Sequence, residues 1–211
     1  MGTTKIRVIS VSHQKKRKNR YSIRLSNGEV FGISEYVLLS NPVHVDDLLD
    51  HHAIERLIEL EGLNKVRESA LSLISYRMRS KKELSFRLHR KGFTTIQIES
   101  TIGVLEEKGL IDDKKFGLIF ARDNVKRSLL GPVALKHRLK SHFSSFEIIE
   151  KICNNIYQEF PIDSLIRDII NKHSLKDLRS HSKNKKRLIN KLKRKGYCWN
   201  DIEPVLKYYN I

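Results

Sequence analysis

Asp112 and Asp113 are adjacent carboxylates near the middle of a 211-residue chain, and a carboxylate pair is the least from which metal-assisted phosphodiester chemistry can be built. No third carboxylate stands in a fixed relation to them. Both also fit the opening of a helix, where acidic side chains accept from free amides and face the positive end of the helix dipole. The acidic stretch containing Asp46, Asp47 and Asp50 is read the same way, as the start of a helix rather than a metal site. His137 and His142 are five residues apart, a spacing that suits one helix face poorly, and His51 and His52 point to different sides. The chain contains no GxxxxGK[ST], no GxGxxG after a strand, no HExxH, no GxSxG and no Cys/His cluster of zinc spacing. The expectation is a protein without catalytic residues, metal or cofactor.

What remains is charge. The net charge is +17 and the isoelectric point about 9.9, which favours a polyanionic partner: nucleic acid, or an assembly built on it. The charge is segregated. Residues 1–28 hold no acid, residues 29–62 hold one base, Arg56, among eight acids, and the last stretch is basic again. Lys15, Lys16, Arg17 and Lys18 sit in a run too charged to bury, a loop tip able either to grip phosphate or simply to be solvated. Hydrophobic content is 39% with a mean hydropathy of −0.44, and no apolar run approaches the ~20 residues of a membrane span. The N-terminus has no apolar signal region, so no secretion is expected. Cys153 and Cys198 share no motif and read as reduced thiols of a cytosolic protein.

The elements that would carry these groups begin as β. Ile6, Val8 and Val11 roughly alternate, as do Tyr21, Ile23 and Leu25, and Asn27-Gly28 predicts a two-residue hairpin turn with positive φ at both positions, returning through Val30, Phe31 and Ile33. Ser34 is read as an N-cap. Asp46 and Asp47 are read as opening a helix that ends near Gly62, and from about Val66 the pattern is helical throughout.

The helical part repeats. Residues 80–93 return as residues 184–197, with a blurred copy at residues 131–143, and paired leucines recur at Leu84/Leu88, Leu135/Leu139 and Leu188/Leu192. A period of about 50 residues means stacked supersecondary units. Ser80 with Glu83 forms a capping box, Gly92 and Gly196 stop their helices in the left-handed region, and Gly131-Pro132 opens a helix with proline at its first position. The fold expected is mainly α: three tandem three-helix repeats (residues 63–111, 112–160 and 161–211) in an elongated curved array, preceded by a β-rich element (residues 1–62). With the leucines inward, Lys82, Phe86, His89 and Arg90 lie on the opposite face of the first copy. His137 and Lys140 match them in the second, and Lys186, Lys193 and Arg194 in the third. That recurring cationic face is either a binding surface or a solvated one. Phe86 either packs on a neighbouring repeat or is an exposed contact aromatic.

Residues 70–84, then Lys91-Gly92-Phe93, then residues 109–116, then Gly131-Pro132, resemble the RecX family of RecA regulators. The Arg-Ser-x-x-Glu-Leu, Gly-Leu-Ile-Asp-Asp and Gly-Pro elements, in that order, carry the likeness. It is good over about residues 63–160 and rests on the repeat pattern beyond. The resemblance implies tandem three-helix repeats and a cytoplasmic, non-enzymatic monomer of homologous recombination, DNA repair and the SOS response. Such a protein binds the RecA–DNA filament, touches single- or double-stranded DNA weakly, and inhibits strand exchange, ATP hydrolysis and co-protease activity. One departure stands out: where the family has Lys-Gly-apolar in its second repeat, this chain has His142-Phe143-Ser144, a turn expected to be remodelled or one residue shorter. The other reading is a free-standing nucleic-acid-binding protein of helix-turn-helix-like units; a nuclease using Asp112 and Asp113 is a distant third.

Overall fold

The computed structural model describes residues 5–15 and 17–211, and among these it is mainly helical with one small sheet. Three antiparallel strands, β1 (Ile6–His13), β2 (Arg20–Leu25) and β3 (Val30–Ser34), are joined by a short β4 (Leu48–Leu49) in the order β3-β2-β1-β4. Alternation puts Val8, Ile23, Leu25 and Ile33 on the buried side. The β2–β3 turn differs from the expected two-residue form. Gly28 N–H donates to the Leu25 carbonyl and Leu25 N–H to that of Glu29, and among the described residues of the turn only Gly28 has positive φ (90°). This is a three-residue loop closed by glycine in the left-handed region, the other common hairpin solution.

Ser34 caps α1 (Glu35–Ser40) as expected, its hydroxyl accepting from Val37 N–H at 3.4 Å. Asp46 and Asp47 do not open a helix. Val8 N–H donates to the Asp47 carbonyl and Asp46 N–H to that of Val8, so this segment continues the sheet into β4. Asp50 is the N-cap, accepting from Ala53 N–H at 2.8 Å, and α2 then runs from His51 to Tyr76. The helix passes through Gly62 without a break, because one interior glycine costs only about 1 kcal/mol against alanine while both halves have buried partners. Leu57 joins the sheet core, and Val66 and Ala70 are fully buried.

Behind the sheet lies a buried polar cluster. Glu61 of α2, 3% exposed, receives Arg20 Nη1 at 2.7 Å and Ser34 N–H at 2.7 Å, and Asn64 Nδ2 donates to Ser34 Oγ at 2.9 Å. Arg20 therefore belongs to this structural pair and not to the basic loop beside it.

The helices that follow are α3 (Lys81–His89), α4 (Thr95–Glu107), α5 (Asp113–Ser128), α6 (Pro132–Leu139) and α7 (Phe146–Glu159). Then come α8 (Ile162–Ile170), α9 (Leu175–Ser180), α10 (Ser182–Arg194) and α11 (Trp199–Tyr208). The described residues up to Arg77, together with Ser85–Glu107, form one compact unit, and Met78–Leu84 with Lys108–Ile211 form another. The second holds a continuous core in which Leu135, Leu139, Ile152, Ile156, Ile166 and Leu192 are all at most 3% exposed.

The residues that carried the resemblance are structural in role. Arg79 is buried and paired with Glu83, Ser80 Oγ accepts from Glu83 N–H, and Asp113 accepts from Lys81 N–H at 2.7 Å. Asp112 caps α5 through Lys115 N–H at 2.8 Å. The second repeat's turn is indeed one residue shorter. Phe93 N–H reaches back five residues to Leu88 and Tyr197 to Leu192, but Phe143 reaches back four, to Leu139, with no left-handed glycine. Dropping that residue still leaves Phe143, 4% exposed, and Tyr197, 3% exposed, buried after their leucines.

Burial holds the Cys153 thiol up at about 11 against an ordinary 9.0, and Cys198 is exposed. At pH 8 a thiol reagent is expected to modify Cys198 quickly and Cys153 only after unfolding; two fast thiols in the native protein would contradict the packing of α7. Because the folded-state value lies above the unfolded one, the stability this thiol contributes is complete below about pH 9 and is lost as pH rises through about 11.

Candidate binding surface

The candidate surface is built on the three helices that carry the leucine pairs, α3, α6 and α10; in residues 161–211 the extra short helix α9 precedes α10, so that stretch has four helices and not the three expected. Leu84, Leu88, Leu135, Leu139, Leu188 and Leu192 are at most 2% exposed, which orients α3, α6 and α10 by their leucine pairs. A helix with leucines at i and i+4 inward must turn positions i−2, i+2, i+5 and i+6 outward. Lys82, Phe86, His89, Arg90, His137, Lys140, Lys186, Lys193 and Arg194 are accordingly exposed. None of their cationic groups forms a salt bridge among the described residues, whereas Lys136 pairs with Glu150 at 2.6 Å and Arg122 with Glu159 at 2.7 Å. Lys82 Nζ donates to the Lys140 carbonyl at 2.9 Å, tying the two basic positions together within the second compact unit.

Phe86 is 62% exposed, so it is not packed away; the Arg90 guanidinium stands 6.0 Å from its ring. Trp199, which the sequence reading passed over, repeats this motif: it is 45% exposed with Lys193 Nζ at 5.8 Å. The cation lies on α10 and the ring opens α11, so the pair is formed only once the turn at Gly196 is made. An exposed aromatic beside a cation can stack on a nucleic-acid base while the cation meets phosphate.

In the loop before β2, Lys15, Arg17 and Lys18 are exposed, and Lys16 lies outside the described residues. Asp112 and Asp113 are spoken for by backbone amides, and no group of three potential ligands is arranged for a metal among the described residues. His142 packs on Phe116 and Phe120, with ring centroids 5.0 and 4.6 Å apart, while His137 points away. No helix among the described residues is long and apolar enough to cross a membrane.

Residues 67–105 match the family model of the RecX first three-helix domain. The chain is 25% identical over 205 residues to the regulatory protein RecX of Clostridium botulinum (strain Eklund 17B / Type B), covering 95% of each. It is 25% identical over 209 residues to that of Clostridium tetani (strain Massachusetts / E88), covering 97% of this chain and 95% of the relative. A crystal structure of regulatory protein RecX superposes with a TM-score of 0.74 at 20% identity, over 96% of this chain and 99% of that one. RecX from Lactobacillus salivarius gives 0.60 at 19% identity, over 72% and 98%. The likenesses that cover 95% or more of this chain take in the sheet as well as the helices.

Proposed function

We propose that this chain, which belongs to the RecX family, regulates the RecA recombinase by docking on the RecA–DNA filament. There it would inhibit strand exchange, ATP hydrolysis and co-protease activity with no chemistry of its own. The observation that carries the reading is the recurrence of unpaired cations at matching positions of α3, α6 and α10. A filament repeats its phosphates and acidic side chains, and a repeated cationic face can meet several copies at once. Each such contact is weak and salt-sensitive alone, and linked contacts gain from effective concentration. In this reading the protein works as a cytoplasmic monomer, its DNA contacts are weak and electrostatic, and Phe86 and the exposed Lys15, Arg17 and Lys18 contribute contacts of their own.

Titrating the protein into RecA-catalysed ATP hydrolysis on single-stranded DNA tests this. Inhibition well below one protein per RecA protomer is expected. Unchanged hydrolysis with tight binding to naked duplex would replace the reading with that of a free-standing nucleic-acid-binding protein.

The face itself has a sharper test. Replacing Lys186, Lys193 and Arg194 together with glutamate should leave stability within about 0.5 kcal/mol, as for most exposed substitutions. The concentration needed for inhibition should rise by on the order of tenfold or more, and its salt dependence should flatten, since fewer counterions are released per contact. Lys82, His89 and Arg90 form the matched set on α3. A folded variant that inhibits at the wild-type concentration and salt slope would remove the basic face from the mechanism.

A further inference from the structure

A second concentration of cations in the second compact unit gathers at helix ends and adjoins the face just described through Arg194. The last turn of α5 brings Lys126 and Arg127, the end of α8 brings Lys172, and α10 brings Lys191 and Lys195, around a cleft of about 480 Å³ whose one lining carboxylate is Asp168. None of these five cations has a salt bridge among the described residues. Elsewhere in the same unit Arg122, Lys136, Lys151, Arg167 and Lys207 are all paired. Two neighbouring hollows share lining residues with it: Arg127 lines one with Arg138 and Asp123, and Lys191 the other with Arg187, Arg194 and Asp177.

Helix C-termini attract cations, and that accounts for Lys195, whose Nζ donates to the Ser128 carbonyl at 2.5 Å. It suits Lys126 and Arg127 in the last turn of α5 and Lys191 in that of α10 as well, but a helix C-terminus carries only about half a negative charge, so three of them with Asp168 leave much of the charge of the five cations unbalanced. The Lys195 ammonium is driven below its ordinary pKa by desolvation and then by Lys191, Lys172 and Arg138, so the cluster repels itself as it stands. A chain of linked anions threaded through the three hollows would relieve that repulsion.

We propose that these adjoining clefts form a track for the phosphodiester backbone of single-stranded nucleic acid, running from Arg138 past Arg127, Lys172 and Lys191 to Arg187. A single strand is thin enough to enter hollows between helices and carries its charges in a line, whereas the carboxylates of a protein surface lie among countercharges. The track rests on the reading above only in sharing its polyanionic partner. Sequence periodicity does not reveal it, because its cations come from the ends of separate helices.

The test is binding of fluorescent oligo-dT to the full chain, followed by anisotropy between 50 and 200 mM salt. The variant Lys126→Gln/Lys172→Gln/Lys191→Gln should bind about tenfold more weakly or worse. Its salt slope should fall by about 2, since single strands give a slope of about 0.7 per phosphate neutralised. A control losing the same charge, Lys114→Gln/Lys115→Gln/Lys207→Gln, should change affinity by less than about twofold. Lys191 also touches His173, Nζ to Nε2 at 3.2 Å, so Lys126→Gln/Arg127→Gln/Lys172→Gln, which leaves α10 intact, must reproduce the loss. Equal losses in track and control variants would mean that bulk charge alone is at work and would overturn the track. So would polyglutamate displacing the oligonucleotide at equal charge, or a track variant that loses duplex binding but keeps single-strand binding. No recombinase enters this assay: its failure leaves the filament reading standing, and unchanged ATP hydrolysis in the earlier titration leaves the track standing.

Discussion

Gly196→Ala is expected to lower the melting temperature of the protein by about 10 °C or more, while Gly92→Ala at the matching position of the first repeat lowers it by only a few degrees. Both glycines have φ of 88°. A side chain in that region costs roughly 1–2 kcal/mol, so the helix-stop pattern alone predicts equal effects. The surroundings separate them. A Cβ on Gly92 meets nothing within 4 Å, but one on Gly196 would overlap the backbone nitrogen and Cβ of Ala134 and stand 2.9 Å from its Cα. Gly131 faces the same contact from the other side, its added Cβ lying 2.6 Å from the Gly196 carbonyl carbon.

The two segments are stitched by backbone hydrogen bonds, Gly131 N–H to Lys195 at 2.8 Å and Val133 N–H to Gly196 at 3.1 Å. Tyr197 and Tyr157 hydroxyls donate to the Leu129 and Leu130 carbonyls, and burial raises the pKa of both phenols. Neither backbone can withdraw without breaking this set. Overpacking there adds about 1–3 kcal/mol or more to the strain, and each kcal/mol moves the midpoint of a chain this size by about 2–4 °C. Thermal melts of the two variants side by side decide it; equal shifts would show that the Gly131–Gly196 contact is not as close as described.

Glu61→Ala is expected to cost about 3–5 kcal/mol, the usual penalty for breaking a buried ion pair from one side. It strips a partner from the Arg20 guanidinium, whose side chain is 17% exposed, and from the buried amide of Ser34. Removing both charges, as in Arg20→Met/Glu61→Leu, should cost much less than the two single substitutions summed, because no charge is then left unpaired. Urea unfolding of the four proteins measures the coupling. Additive effects would mean that the pair is solvated and that the sheet does not rest on α2 through Glu61.

Several features were legible in the residues because each is settled within one or two turns of chain. Leucines four apart fix which side of α3, α6 and α10 is buried. Ser34, Ser80 and Asp112 cap helices because their own oxygens reach amides three residues on. The missing glycine at His142–Ser144 shortens one turn because no other residue there enters the left-handed region. The exposure of the cationic face followed from the leucines by the same geometry.

Other features were decided only by packing. Whether α2 stops or continues at Gly62 depends on partners in the sheet and α4, which outweigh a glycine penalty of about 1 kcal/mol. Asp46 and Asp47 joined the sheet because Val8 offered them a strand edge. Arg20 looks like one more charge in a basic run, and its partner Glu61 is 41 residues away. The clefts around Lys126, Lys172 and Lys191 draw on three helices spread over some seventy residues. Periodicity orders the residues of a single helix, but charges at the ends of separate helices converge only when their shared core brings those helices together.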